Sequence, residues 1–266
     1  DMAKIAPEDE FAMIANKRIL ESFSVNKDIS IESHDKNEPD IDIIRTRATE
    51  AEDSAPSIKG ITNSDGADAS WGEGETLLMT SNGFLGHSKK SNHGVSVVVI
   101  AEKDGKMERD YDYSSKVFGK DLKSSKLIGI KAAENTLARI GASKPVTGKY
   151  PVVFGPRVAK SISGHIASAI NGSAIARKTS FLKDMMNKQI ISSEVNIVDN
   201  PFLKRGLGSR LFDGEGLGCS ERLMVKDGIL QGWLLDLSSA KQLNMKPTGN
   251  ARRGINGPPS PSTSNF

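Results

Sequence analysis

Apolar residues recur at spacings of three and four in three stretches of the chain, a pattern typical of helices with one buried face. The first stretch starts after Asp40 and stops before Pro56, two residue types that favour helix ends. The second stops before Gly141, and the third opens at Gly155-Pro156, where proline suits the first helical turn. The pattern predicts three amphipathic helices, with apolar positions at Ile41, Ile44, Ala48, Ala51 and Ala55, at Leu127, Ile130, Leu137 and Ile140, and at Val158, Ile162, Ile166 and Ile170.

Between the first two helices the pattern changes to short β-forming runs separated by turn residues. Ser81-Asn82-Gly83 and Lys103-Asp104-Gly105 contain Asn-Gly and Asp-Gly pairs, which tolerate the positive φ angles of tight hairpins. The runs 76–80, 84–89, 94–100 and 107–113 therefore predict a meander of about four antiparallel strands.

Three further segments follow the second helix. The apolar run 150–154 predicts a buried strand, and Asp227-Gly228 predicts a hairpin that joins 221–225 to 229–236. The tail 254–266 carries no charge and is rich in Gly, Pro and Ser, a composition typical of loops.

These elements predict an α+β fold, in which an antiparallel β-meander with flanking helices is followed by part of a β-rich domain. The short linker 142–149 contains Pro145, and we expect the domain boundary there, with domains at 1–146 and 147–266. Only 5% of the residues are aromatic, so the core must consist mainly of Ile, Val, Leu and Ala.

The net charge of +3 is small for 266 residues, and the basic residues are spread along the chain. Nucleic-acid binders concentrate Lys and Arg on one face, so this distribution argues against direct nucleic-acid binding. Cys219 is the only cysteine, which excludes an internal disulfide and favours a reducing compartment such as the cytoplasm. No apolar run is long enough to predict a membrane helix.

The residue types that carry chemistry do not form a catalytic motif. The four histidines include no pair at positions i and i+4, which zinc proteases use to place two imidazoles on one helix face. We expect His165 to be a packed or solvent-edge residue, and His87 and His93 to face each other across a turn at Ser91 without binding metal. Cys219 has no histidine near it in sequence, which favours an unreactive thiol.

Two glycine-rich loops, 206–210 and 214–218, resemble binding loops but lack the spacing of phosphate-binding motifs. Their glycines are expected to allow tight turns and close backbone approach. Arg205 and Arg210 lie beside the first loop and are candidates for binding a carboxylate. The residues alone therefore predict no self-contained catalytic site.

The same region carries a family resemblance. The segments RGLGS at 205–209, FD at 212–213 and EG at 215–216, the hairpin 225–235, SAK at 239–241 and TGNA at 248–251 resemble the TldD/PmbA family. Further upstream, SNGFLG at 81–86, RDYDYSS at 109–115 and TGKYPV at 147–152 resemble its PmbA (TldE) branch. The resemblance runs along nearly the whole chain in one order.

The resemblance implies a non-catalytic subunit that pairs with a zinc-bearing TldD-like subunit in an intracellular heterodimeric metalloprotease for unstructured peptides. In the zinc-bearing branch the third helix carries H-E-x-x-x-H, and the corresponding positions here are Ser163, Gly164 and Ser168. We therefore expect no metal in this chain and zinc in the partner. The expected substrate- or partner-facing residues are His165, Arg177, Arg205, Gly206, Gly208 and Arg210.

The resemblance also implies that 1–146 is a central domain, that 147–266 is the start of a C-terminal domain, and that the chain is a fragment lacking both ends. Two alternatives remain open at this point. One is a binding or regulatory protein without protease activity, such as a modulator of DNA gyrase. The other is an inactive scaffold fragment.

Overall fold

The computed structural model describes residues 5, 7–255 and 257–266, which form two compact units. The sheet unit consists of Glu32–Glu75 and Lys89–Val152. The loop-rich unit contains the chain up to Ile31 together with Thr76–Ser88 and Val153–Phe266. No helix in these described residues is long and apolar enough to cross a membrane.

The strands β1 (Ile61–Met79), β2 (Leu85–Lys103) and β3 (Lys106–Lys116) form one sheet in the order β1-β2-β3. The predicted antiparallel meander is confirmed, with three strands instead of four. The runs 84–89 and 94–100 belong to one strand, because the polar residues between them continue β2. The expected turn at Ser91 is therefore wrong, and Ser91 is a buried strand residue.

The Asp-Gly turn between β2 and β3 is confirmed. Asp104 and Gly105 have φ angles of 53° and 72°, as a two-residue hairpin with the right-handed strand twist requires. The turn between β1 and β2 uses Gly83, with φ of 94°.

The core of the sheet unit lies between one face of β2 and two helices, α2 (Ile41–Ser54) and α3 (Ser125–Leu137). Val95, Val97 and Val99 alternate along β2 toward this core, as the period of a strand dictates. The predicted helix α2 is confirmed, and the Asp40 side chain accepts a hydrogen bond from the Asp42 amide at its start. Its predicted apolar face is only partly buried, since Ala51 is buried but Ile41 is 64% exposed.

Helix α3 is where the sequence predicts it, but its predicted buried face is wrong. Leu127 is 61% exposed, and the buried residues are Ser125, Ile128, Gly129, Ala132, Ala133 and Thr136. A side chain at Gly129 would place its Cβ 2.1 Å from the carbonyl oxygen of Ala51 in α2. The two helices approach so closely that small residues, instead of the large apolar ones, form the contact.

We predict that Gly129→Ala destabilises the protein by about 1–3 kcal/mol, because the new methyl group has no space beside α2. Urea unfolding followed by circular dichroism measures this change. Gly164→Ala is a matched control, since Gly164 lies in a helix with nothing within 4 Å of a built Cβ, and it should stabilise by up to about 1 kcal/mol. Equal effects of the two substitutions would contradict the close α2–α3 contact.

The loop-rich unit contains α1 (Lys17–Ser22), α4 (Pro156–Ala169), α5 (Gly172–Ala176), α6 (Leu237–Gln242) and short strands. β4 (Ile197–Asp199), β5 (Arg222–Lys226) and β6 (Ile229–Leu230) form a sheet in that order, and β7 (Ala251–Arg252) pairs with β8 (Ser260–Pro261). Its main core contains Ile170, Leu182, Met224, Val225, Leu230, Trp233, Leu234 and Leu235. The predicted Asp227-Gly228 hairpin is confirmed between β5 and a shorter β6, with φ angles of 49° and 76°.

One prediction for this part of the chain is wrong, and one is correct with a small exception. The predicted buried strand at 150–154 is absent, because a strand needs a neighbouring strand and none of the described residues pairs with this run. Val153, in the same run, is 96% exposed. The tail 254–266 is mostly loop in its described residues, as predicted, except for the two-residue strand β8, in which Pro261 lies opposite Ala251. Asn256, also in this segment, lies outside the described residues.

Candidate functional site

Helix α4 carries the three positions that the resemblance relates to a zinc motif. Gly155 precedes the helix and Pro156 opens it, as predicted. Only the C-terminal part of its apolar face is deeply buried: Ile170, just after the helix, is fully buried, whereas Val158 is 53% exposed. The predicted apolar face is thus buried at its C-terminal end, whereas its N-terminal half is exposed.

A groove of about 350 Å³ lies between α4 and the sheet edge at β4. From α4 it is lined by Ile162, Ser163 and Ile166, and opposite them lie Ile191, Val195, Ile197 and Phe266. No charged side chain occurs among the described residues that line it, and Ser163 and Asn196 supply its polar groups. Among the three motif positions, Ser163 is half-buried against the groove, while Gly164 and Ser168 are exposed.

The glycine-rich loop after Arg205 is locked against the end of the described chain. The Gly208 amide donates to Asn265 Oδ1 at 3.0 Å, and Asn265 Nδ2 donates to Ser209 Oγ at 2.9 Å. A Cβ at Gly208 would lie 2.2 Å from the carbonyl oxygen of Ser264. These contacts fix the position of residues 264–265, which precede the groove residue Phe266.

Gly206 also packs against this segment, since a Cβ there would lie 2.7 Å from Asn265 Oδ1. Arg205 has a positive φ of 58°, and its amide donates to the Ile31 carbonyl at 2.8 Å. Arg210 donates from Nη2 to the Ser262 carbonyl at 3.0 Å, so part of its guanidinium is committed to holding the chain.

Cys219 lies beside this loop. Its Sγ donates to the Gly249 carbonyl at 3.2 Å, and burial raises the pKa of the thiol to about 12. The thiolate is the nucleophilic form, so Cys219 is unreactive near neutral pH.

Sequence reasoning missed a set of buried carboxylates that organises this region. Asp213 accepts the amides of Glu215, Leu217 and Ala251 at 2.8 to 3.0 Å. Asp199 accepts Asn250 Nδ2 at 2.8 Å and the Ser264 amide at 2.6 Å. An available signal was the Asp-Gly-x-Gly spacing at 213–216, since Asp side chains often bond to amides two residues later.

Among these buried acids, Glu215 has the pKa that departs most from its ordinary value. It is 7% exposed, and its Oε2 accepts the Leu237 amide at the start of α6 at 2.8 Å. Burial, reinforced by the nearby Asp213 and Asp236, raises the pKa of Glu215 to about 8. The carboxyl group is therefore largely protonated at neutral pH.

We predict that Glu215→Gln makes the protein more stable than the wild type at alkaline pH. A carboxyl group whose pKa is raised in the folded state contributes stability that is complete below its ordinary pKa of 4.5 and is lost as pH rises through about 8. Glutamine mimics the protonated form, so the advantage should grow with pH to a few kcal/mol. Urea unfolding at a series of pH values measures it.

The matched control is Glu194→Gln, which changes an exposed carboxylate and should leave the pH dependence of stability unchanged. If Glu215→Gln and the wild type lose stability in parallel as pH rises, the protonated state assigned to Glu215 is wrong.

The structure brings only part of the predicted site together. The predicted substrate- or partner-facing residues Gly206 and Gly208 contact the segment that leads into the groove, and Ser163, one of the motif positions, lines it. His165 and Arg177 are exposed, and neither they nor Arg205 and Arg210 belong to the described lining of the groove. His87 and His93 do not face each other, since both lie on β2 and only His93 is buried.

In the described part of the chain, no three His, Cys, Asp or Glu side chains are arranged to hold a metal ion. Ser163, Gly164 and Ser168 supply neither an imidazole nor a carboxylate. They therefore do not fit the tetrahedral zinc site of a metalloprotease helix.

Comparisons with known proteins agree with this architecture. Residues 32–140 match the PmbA/TldA metallopeptidase central domain, and residues 147–266 match the C-terminal domain of the same family. The chain belongs to the PmbA/TldA metallopeptidase family, and the predicted resemblance is confirmed.

Individual relatives point to the PmbA branch. The chain is 35% identical to Metalloprotease PmbA of Escherichia coli O157:H7, over 94% of this chain and 55% of that protein. It is 33% identical to a PmbA homologue of Haemophilus influenzae over the same shares, and 27% identical to a TldD homologue of that organism over 67% of the chain and 39% of the homologue. The chain thus spans about half the length of these PmbA relatives.

Solved structures share the fold. A protein of Bacteroides thetaiotaomicron described as a proposed modulator of DNA gyrase superposes with a TM-score of 0.84 and 26% identity, covering 100% of this chain and 58% of that one. TldE from Thermococcus kodakarensis superposes with a TM-score of 0.75 at 17% identity, and the match covers 99% of this chain and 59% of the TldE chain. This similarity shows a common fold.

Proposed function

We propose that this chain is the PmbA/TldE-type, non-catalytic subunit of a zinc peptidase that processes unstructured peptides. The observation that carries the proposal is helix α4, which has Ser163, Gly164 and Ser168 at the positions related to the zinc motif. Metal-dependent peptide hydrolysis needs ligands for the ion and a carboxylate to activate its water. A TldD-like partner would supply both, and the heterodimer would work in the cytoplasm.

The groove beside α4 gives this subunit a role in holding the peptide. Its uncharged lining suits an apolar side chain, and β4 lies at the edge of the sheet β4-β5-β6. An extended peptide gains main-chain hydrogen bonds by adding to a sheet edge, and alternate side chains then enter neighbouring pockets. This subunit would therefore orient the peptide while the partner's zinc cleaves it.

Reconstitution tests the division of labour. The chain should show no peptidase activity toward an unstructured peptide, and activity should appear when a partner with an intact H-E-x-x-x-H helix is added. A partner with the glutamate of that motif changed to glutamine is the control and should restore nothing. Turnover by this chain in the absence of any partner would contradict the proposal.

We predict that Ile162→Asp weakens peptide processing by the reconstituted complex about tenfold or more. The substitution places a charge in the uncharged groove and removes an apolar contact worth about 1.5–3 kcal/mol. The change is measured as kcat/KM for an apolar, unstructured peptide.

Val158→Asp is the matched control, because Val158 is on the same helix, is 53% exposed and is not part of the described groove lining. It should leave kcat/KM within about twofold of the wild type, the scale of a neutral surface substitution. Equal losses from both substitutions would show that the groove does not hold the peptide.

A further inference from the structure

A short polar segment at the start of the sheet unit is fastened to β2 by a chain of hydrogen bonds. Ser33 Oγ donates to the Lys89 carbonyl at 2.9 Å, and the Ser91 amide donates to the Ser33 carbonyl at 3.1 Å. The Asp35 amide donates to Ser91 Oγ at 2.7 Å, and that hydroxyl donates to the Val117 carbonyl at 2.9 Å. Residues 33–35 are thus tied to both β2 and the turn after β3.

The carboxylate of Asp35 is the centre of this attachment, and both of its oxygens are engaged. Oδ1 accepts the amide of Asn37 at 3.0 Å and its Nδ2 at 3.1 Å, and Oδ2 accepts the Gly119 amide at 2.9 Å. Asp35 is 4% exposed, so these bonds replace its contact with water.

His93 lies against this carboxylate without a good hydrogen bond. It is 1% exposed, and its Nε2 is 3.4 Å from Asp35 Oδ2. Within the described residues neither ring nitrogen of His93 has a hydrogen-bond partner, and neither has Arg47 Nη1. A Cβ built on Gly119 would lie 3.1 Å from both Arg47 Nη2 and His93 Nδ1, so the cation and the imidazole share one small space.

We propose that His93, Asp35 and Arg47 form an acid-sensitive clamp, and that protonation of His93 releases residues 32–37 from β2. Protonation adds a second cation beside Arg47 and gives the buried ring a second N–H donor, and among the described residues neither ring nitrogen has a hydrogen-bond partner. The charged groups that face His93 are Asp35 from the segment and Arg47 from α2, while the turn after β3 contributes the Gly119 backbone.

The electrostatic environment of His93 also disfavours its protonated form. Burial lowers the pKa of His93, the Asp35 charge opposes this effect, and the Arg47 charge adds to it. A histidine whose pKa is lowered in the closed state leaves the clamp intact above its ordinary pKa of 6.5, and the clamp weakens as pH falls below that value.

The clamp lies within the sheet unit and is close in sequence to points where the chain passes from one unit to the other. Three of the four passages lie at 31/32, 75/76 and 88/89. Within the sheet unit, Glu73 accepts His34 Nε2 at 2.9 Å and pairs with Lys89 Nζ at 3.0 Å, which joins the three segments that lead to these passages. Release of residues 32–37 would therefore free the first residues of the sheet unit from β2.

Amide hydrogen exchange followed by NMR tests the clamp. The reporters are the amides of Gly119 and Ser91, which donate to Asp35 and Ser33, and the reference is Val97 on the central strand. After correction for intrinsic exchange rates, lowering the pH from about 7.5 to about 5.5 should reduce the protection of both reporters by up to about tenfold, with Val97 unchanged. Unchanged protection of the reporters would overturn the proposal.

Three substitutions separate the clamp from general acid sensitivity. His93→Gln cannot take up the proton and should abolish the pH response, whereas His87→Gln, an exposed histidine on the same strand, should preserve it. If His93→Gln does not fold, Arg47→Met provides the test: it removes the neighbouring cation, so the His93 pKa should rise and the reporters should stay protected at lower pH. A pH response that is the same in His93→Gln or Arg47→Met as in the wild type would contradict the clamp.

Discussion

Buried carboxylates that accept backbone amides are the interaction on which the loop-rich unit depends. Most of its chain lies outside helices and strands, so many amides lack a partner in a ladder and must find one elsewhere. Asp213 accepts three of them, Asp199 binds the segment 264–265 through Ser264, and Asp236 caps α6. The position of Phe266 in the groove therefore depends on side chains that do not line the groove themselves.

Helix α4 connects this architecture to the proposed function. Its buried end anchors it in the core, while Ile162 and Ser163 remain at the groove. The helix lines an uncharged groove. Serine and glycine occupy its positions related to the zinc motif, so it lacks the side chains that bind zinc. Under the proposed function, such a subunit would contribute to a peptidase by positioning the peptide for a catalytic partner.

The sequence predicted the features that depend on neighbouring residues, such as turns and helix caps. Asp104-Gly105 and Asp227-Gly228 form the predicted turns because few residue pairs tolerate positive φ at both positions, and Asp40 caps α2. Long-range packing determined the rest. The buried face of α3 depends on how closely α2 approaches Gly129, and the burial of Glu215 depends on α6 and the loops, which periodicity along one segment does not report.

The location of zinc in the assembled complex tests the central claim most directly. We expect one zinc ion per heterodimer by elemental analysis, unchanged by Ser163→Ala and Ser168→Ala in this chain and lost when a motif histidine of the partner is changed to alanine. Stoichiometric zinc in this chain without a partner, or loss of zinc from the complex with Ser163→Ala, would contradict the account.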